Sequence, residues 1–261
     1  MSARDHARGL AAGLAAGTAG GLFGVGGGII LVPMLTAFFG LTQHQAHGTS
    51  LAVIGATALA ALAVYGAHSN VAWTTAAMVA VGSLFSARLG ARWASRVSIH
   101  GLKRAYAAFL VLVALRLLWE TPAINARPVL MGASGVVFSL VLGLATGTLA
   151  GFMGVGGGLF VVPACTLVFG MTQQAAQGTS LAVILVTAPA AALEHARHGN
   201  VVWRVVPMLA LGAAVGSPLA SAAAQVLPHS LLVRSFAVFL AVTGVHTWIG
   251  ASRRTDRGTL G

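Results

Sequence analysis

Two short polar motifs interrupt an otherwise apolar chain, and each occurs twice. The first is a glycine run, Gly24, Gly26, Gly27 and Gly28, which returns as Gly154, Gly156, Gly157 and Gly158; apolar residues follow each run up to Pro33 and Pro163. Four glycines in five residues cost a helix roughly 1 kcal/mol each relative to Ala, so a helix is expected to break there. Such a break exposes backbone N–H groups at the start of the next half-helix, with no side chain to hold a ligand away. Those N–H groups and the helix dipole favour an anion. The second motif is Gly48-Thr49-Ser50-Leu51, repeated as Gly178-Thr179-Ser180-Leu181. Its hydroxyls can donate to an oxyanion, and its small side chains also permit close helix contact.

Other polar positions are weaker candidates. Gln43 and Gln173 read as pore-lining residues, and so do Asn70 and Asn200, although an Asn before Val-x-Trp also serves as a cap or turn opening the next helix. Pro33 and Pro163 remove an N–H and bend the second half-helix. His44 and His47 flank the first Gly-Thr-Ser, but Gln174 and Gln177 replace them in the second, so the repeated chemistry does not require them. A coupling role for a proton there stays open, as does coupling to sodium.

Enzyme chemistry finds little support. The glycine run lacks the Lys-Ser/Thr of a nucleotide-binding loop and follows no strand. Asp5, Glu120, Glu194 and Asp256 are the only acids, so no carboxylate cluster exists for metal binding or acid–base catalysis. Cys165 is the single cysteine, which excludes an internal disulfide and a paired-cysteine metal site. No metal and no cofactor are expected.

The elements that must hold these motifs are set by composition. Of 261 residues 57% are hydrophobic and 7% are charged, which places the chain in a lipid bilayer. Eight apolar segments, at 9–39, 45–66, 72–95, 102–119, 129–169, 175–196, 202–227 and 231–250, predict an all-α polytopic membrane protein. The net charge of +11 does not indicate nucleic acid, because the basic residues cluster near segment ends and termini, where they face headgroups. Arg4 and Arg8 before a small-residue run imitate a signal peptide. The same run recurs at Ser139 to Gly151, which argues against cleavage.

A shift of 130 superposes the two halves without a gap, with 35 identities in 64 positions between residues 10–73 and 140–203. The chain is therefore divided into an N-terminal tail (1–8), a first repeat (9–120), a linker with the start of segment five (121–138), a second repeat (139–250) and a C-terminal tail (251–261). Each repeat holds four segments. Arg88, Arg92 and Arg96 face Pro218, Ala222 and Val226 at the equivalent positions, whereas Arg197 and Arg204 replace Ala67 and Thr74. That alternation of charge predicts repeats inserted in opposite senses. An inverted repeat needs an odd number of crossings, and the first segment supplies the reason: 31 residues would run about 46 Å as one helix, against a hydrocarbon core of about 30 Å. A broken or re-entrant hairpin fits better. It puts both termini and twelve of the fifteen basic residues in the cytoplasm, where eight full crossings would put nine. Repeats of this kind are the usual architecture of a secondary carrier, with its site at the midplane.

The doubled Gly-x-Gly-Gly-Gly with its Val-Pro, the doubled Gly-Thr-Ser-Leu and the closing small-residue helices resemble the TauE/SafE family of sulfite exporters and related anion permeases, over about residues 9–250. The resemblance implies transport of a small sulfur-containing anion, such as sulfite, a sulfonate or sulfoacetate, across the bacterial inner membrane. It also implies functional positions at the glycines and Gly-Thr-Ser residues quoted above. Pro218 and Ala220 depart from Arg88 and Gly90 of the first copy. A passive anion channel and a carrier of a non-sulfur organic anion remain alternatives. The partners expected are the bilayer, the anion and a coupling ion.

Overall fold

The computed structural model describes residues 3–93, 99–119, 132–154 and 156–252, and all regular structure among them is helical. Ten helices follow one another: α1 (Ala3–Phe23), α2 (Gly28–Phe39), α3 (Gln43–Ala67), α4 (Trp73–Trp93), α5 (Ile99–Trp119), α6 (Gly132–Met153), α7 (Gly158–Leu167), α8 (Gln173–Arg197), α9 (Val206–Val226) and α10 (His229–Ser252). Eight apolar segments become ten helices because the first and fifth are each two helices, parted at the glycine runs. The stretch expected as a tail before residue 9 is already helical from Ala3. Arg96, Glu120, Arg253, Arg254, Arg257 and Asp256 lie outside the described residues, as does 121–131 of the linker, and the side chains of Arg88 and Arg92 are not described.

Backbone geometry explains the breaks. Gly27 and Gly157 precede α2 and α7 with φ of 82° and 77°, a left-handed conformation that costs an L-residue about 1–2 kcal/mol. The chain turns back at each break. A methyl built on Gly9, near the start of α1, would lie 3.9 Å from the ring of Phe39 at the end of α2. In the second half, Phe138 near the start of α6 packs edge-on against Phe169, with ring centroids 5.6 Å apart. Each break is therefore the tip of a helical hairpin whose two arms begin and end at the same end of the bundle.

Small residues decide which helices meet. Along α1, Gly13, Gly17 and Gly21 lie directly on the backbone of Leu209, Ala213 and Ser217, so α1 runs parallel to α9. On α6, Gly143 and Gly147 lie on Val79 and Ser83 in the same sense, so α6 runs parallel to α4. The helices α3 and α8 pack antiparallel, with Gly48 of α3 against His195 and Asn200, and Gly178 of α8 against Tyr65 and Asn70. Gly244 of α10 packs on Ala107, Leu110 and Val111 of α5. Each of these pairs joins one half of the sequence to the other.

Polarity is arranged for lipid. Leu59, Phe85, Leu112, Leu193 and Leu219 are exposed, whereas Thr49, Ser50, Thr57, Thr179, Ser180, Thr187, Ser217 and Ser221 are buried. Among the described residues α3, α6, α8, α9 and α10 are long and apolar enough to cross a membrane.

Candidate functional site

The two hairpin tips meet beside the middle of the α3–α8 pair. A methyl on Gly26 would lie 2.6 Å from Ile54 Cγ2 and 3.5 Å from Ile184 Cγ2, and one on Gly156 would lie 3.2 and 3.6 Å from the same two atoms. Ile54 and Ile184 are equivalent positions, halfway along α3 and α8. The tips also touch each other, since a methyl on Gly158 would lie 2.8 Å from both the Gly24 carbonyl oxygen and Val25 Cα. Gly24, Gly26, Gly156 and Gly158 are thus brought together, whereas Gly27 and Gly157 pack on Ala16 of α1 and Thr146 of α6.

The Gly-Thr-Ser motifs hold this junction in reciprocal fashion. Ser50 Oγ donates to the Gly154 carbonyl at 2.7 Å, and Ser180 Oγ donates to the Gly24 carbonyl at 2.8 Å. Thr49 Oγ1 accepts the Val202 N–H at 3.0 Å, and Thr179 Oγ1 accepts the Ala72 N–H at 2.9 Å. Gly48 and Gly178 leave room for the Asn200 and Asn70 carbonyls. The carbonyls served by the serines lie at the ends of α1 and α6, where a terminating helix leaves C=O groups without intrahelical partners. Every residue of each motif therefore touches the other half of the chain.

The amides are arranged differently. Gly27 and Gly157 cap α2 and α7 without any side-chain hydrogen bond. The Gly27 carbonyl takes the Ile30 and Leu31 N–H groups at 3.1 Å each, which leaves the N–H groups at the very start of the helix to other partners. Two helix N-termini without a side-chain cap, each a positive end of a dipole, thus lie at the junction.

Several residues at the junction carried no signal in the sequence. Tyr65 Oη lies 2.9 Å from the Gly21 carbonyl and 2.9 Å from Gln177 Oε1, and Ser221 Oγ donates to the same carbonyl at 3.3 Å. At the equivalent place in the second half, His195 Nε2 lies 3.0 Å from the Gly151 carbonyl. Tyr65 and His195 differ between the halves, so comparison of the repeats passes over them; Ile54 and Ile184 match, but as apolar residues they resemble the core. Among the described residues, Gln177 Nε2, both amide atoms of Gln173 and Thr146 Oγ1 are buried without a hydrogen-bond partner. Gln43 and Gln173 begin α3 and α8, Gln173 one turn before Gln177. Asn70 and Asn200 sit in the turns after those helices, Asn70 donating from Nδ2 to Gln225 Oε1. No group of three or more His, Cys, Asp or Glu with the spacing to hold a metal occurs among the described residues.

Helical hairpins that meet inside an apolar-coated bundle with several membrane-length helices are those of a multi-pass membrane protein. The family profile described as "Sulfite exporter TauE/SafE" matches residues 9–247, and the chain belongs to that family. It is 27% identical over 248 residues to the probable membrane transporter protein YunE of Bacillus subtilis, covering 85% of this chain and 90% of that protein. A probable membrane transporter protein of Xylella fastidiosa is 27% identical over 229 residues, covering 86% and 88%. No solved structure matches the chain.

Proposed function

We propose that the protein is a secondary carrier of a small anion, and that the anion is sulfur-containing: sulfite, a sulfonate or sulfoacetate. The observation that carries this reading is the meeting of two uncapped helix N-termini, those of α2 and α7, halfway along the antiparallel α3–α8 pair. Backbone amides of Gly26 to Gly28 and Gly156 to Gly158 replace part of the anion's hydration shell. Ser50, Ser180, Thr49 and Thr179 act in this reading by holding the two tips in register, since their oxygens are engaged with backbone groups of the other half. The Gln173 amide and Gln177 Nε2, buried without a hydrogen-bond partner, supply polar surface on α8 for water or the anion. The family's name supports the sulfur chemistry; the relatives are named only as probable membrane transporters.

The helix directions support an inverted repeat. With α1–α2 and α6–α7 as re-entrant hairpins, each half crosses the bilayer three times, and the second half does so in the opposite sense. The length of α6 would let it cross, but its last turn leads into a tip that packs on His47 and Ser50 of α3, so it stops at the junction. Arg4, Arg8, Arg104, Arg197 and Arg204 then share one end of the bundle, which makes that end cytoplasmic. The junction falls at the midplane, and rocking of the halves about it exposes the site to either side.

Purified protein in proteoliposomes tests the reading. Saturable uptake of radiolabelled sulfite or ethanesulfonate, accelerated by the same anion inside, is expected of a carrier. Flux that rises linearly with concentration and shows no counterflow marks a channel. A thermal-shift screen against sulfite, sulfate, thiosulfate, sulfonates and carboxylates identifies the anion, because a ligand of the folded state raises its stability.

A further inference from the structure

The two tips have the same backbone but are held by different side chains. At the first, Tyr65 Oη meets the Gly21 carbonyl and Gln177, and Gln177 lies with its Cα against Gly24. At the second, the same two positions are His195, whose Nε2 meets the Gly151 carbonyl, and His47, whose Cα lies against Gly154. A phenol and an amide keep their charge near neutral pH, whereas two imidazoles can change theirs. A carbonyl only accepts, so His195 Nε2 carries a hydrogen, and in the neutral ring Nδ1 is the basic nitrogen. A proton can therefore join and leave at Nδ1 while the bond to Gly151 stays in place.

The surroundings lead from the surface to this ring. From α3 come His44, which is exposed, and His47, which is partly buried, three residues apart on one helical face. From α8 and the turn after it come Glu194, paired with Arg197 at 3.3 Å, and exposed His198, whose ring is held by the Glu194 carbonyl at 2.8 Å. His44, His198 and Glu194 all act electrostatically on His195, which is only 3% exposed. The other packed elements add little. Residues 132–151 of α6 and 73–86 of α4 carry no titratable side chain, and α7 carries only the buried thiol of Cys165. Arg204, just before α9, is exposed, and α10 reaches α8 through His229 at the opposite end, beside the Gln173 N–H.

We propose that His195 is the proton-binding site of the carrier, taking up at Nδ1 the proton that travels with the anion. The proposal rests on the carrier reading above. An imidazolium here sits at the C-terminal end of α6, where the helix dipole favours a cation, and adds a positive charge beside the second tip. The neutral ring withdraws that charge. Proton and anion accordingly bind as a pair and leave as a pair, with no bond in the anion made or broken.

Giving the second tip the side chains of the first tests this directly, with His47→Gln and His195→Tyr in one protein. The readout in proteoliposomes is the ratio of ethanesulfonate uptake with an inward proton gradient to uptake at equal pH; sulfite is run in parallel. The wild-type ratio is expected to be several-fold and the variant's about one. A variant ratio equal to that of the wild type overturns the proposal. Should the double variant fail to fold, His195→Gln keeps an N–H for Gly151 and gives the same comparison. Should wild type carry neither anion, the carrier reading fails for those anions. The proton site is then decided by NMR of histidine-labelled protein in nanodiscs: protonation of His195 Nδ1 as the pH is lowered is expected, and a ring that stays neutral down to the lowest pH at which the protein stays folded overturns the proposal.

Discussion

Ser50→Ala and Ser180→Ala probe the reciprocal lock at the junction most directly. Each serine is fully buried, and each hydroxyl donates to a glycine carbonyl of the opposite half, at 2.7 and 2.8 Å. Alanine removes the donor and leaves the carbonyl buried, with no solvent to replace the bond. Leaving one buried acceptor unpaired costs about 1–3 kcal/mol. At about 2 °C per kcal/mol for a chain of this size, each single variant should melt about 2–6 °C below wild type in detergent. The two tips touch through Gly158 and the Gly24 carbonyl, so loosening one already relaxes the other. The double variant should therefore lose less than the sum of the singles, by at least about 0.5 kcal/mol. Thermal unfolding followed by intrinsic fluorescence measures all four corners of the cycle, with Ser230→Ala, exposed at the start of α10, as control. Melting temperatures of both single variants within 1 °C of the control would refute the lock, and strict additivity would refute the coupling between tips.

Three further outcomes follow from the same geometry. Gly40 and Gly24 both have positive φ, 62° and 69°, but a side chain at Gly40 meets open space whereas one at Gly24 meets the Gln177 backbone; Gly40→Asn should cost about 1 kcal/mol or less and Gly24→Asn should prevent recovery of folded protein, as size-exclusion profiles will report. Tyr65→Phe removes the hydroxyl beside Gly21 and Gln177 and should lower stability by about 1–3 kcal/mol in denaturant titrations, with little loss from packing because the ring remains. Ser69 and Gly199 are exposed equivalents in the turns after α3 and α8; in a Cys165→Ala background, cysteine at 69 should react only from outside the cell and cysteine at 199 only from inside, and labelling from one common side would sink the inverted arrangement.

Much of this protein is legible in its sequence, because lipid imposes simple rules on a chain. Apolar segments had to be helices, and glycine runs such as Gly24 to Gly28 had to interrupt them, since a backbone with four glycines in five residues holds neither helix nor side-chain packing. Duplication made the polar positions visible: Thr49 and Ser50 stand out because Thr179 and Ser180 repeat them. The chemical role of those hydroxyls was not legible. A serine in sequence is a donor without an address, and only the tertiary structure brings the Gly154 carbonyl to Ser50 across 104 positions of chain. The same holds for the helix partners. Nothing local to α1 names α9 as its neighbour; the fit of Gly13, Gly17 and Gly21 against Leu209, Ala213 and Ser217 does, because close approach depends on two surfaces at once. Tyr65 and His195 show the limit most clearly. They differ in type and so leave no mark in the repeat, yet the fold sets each on a carbonyl in the last turn of a hairpin's first arm, where a terminating helix leaves its carbonyls without helical partners.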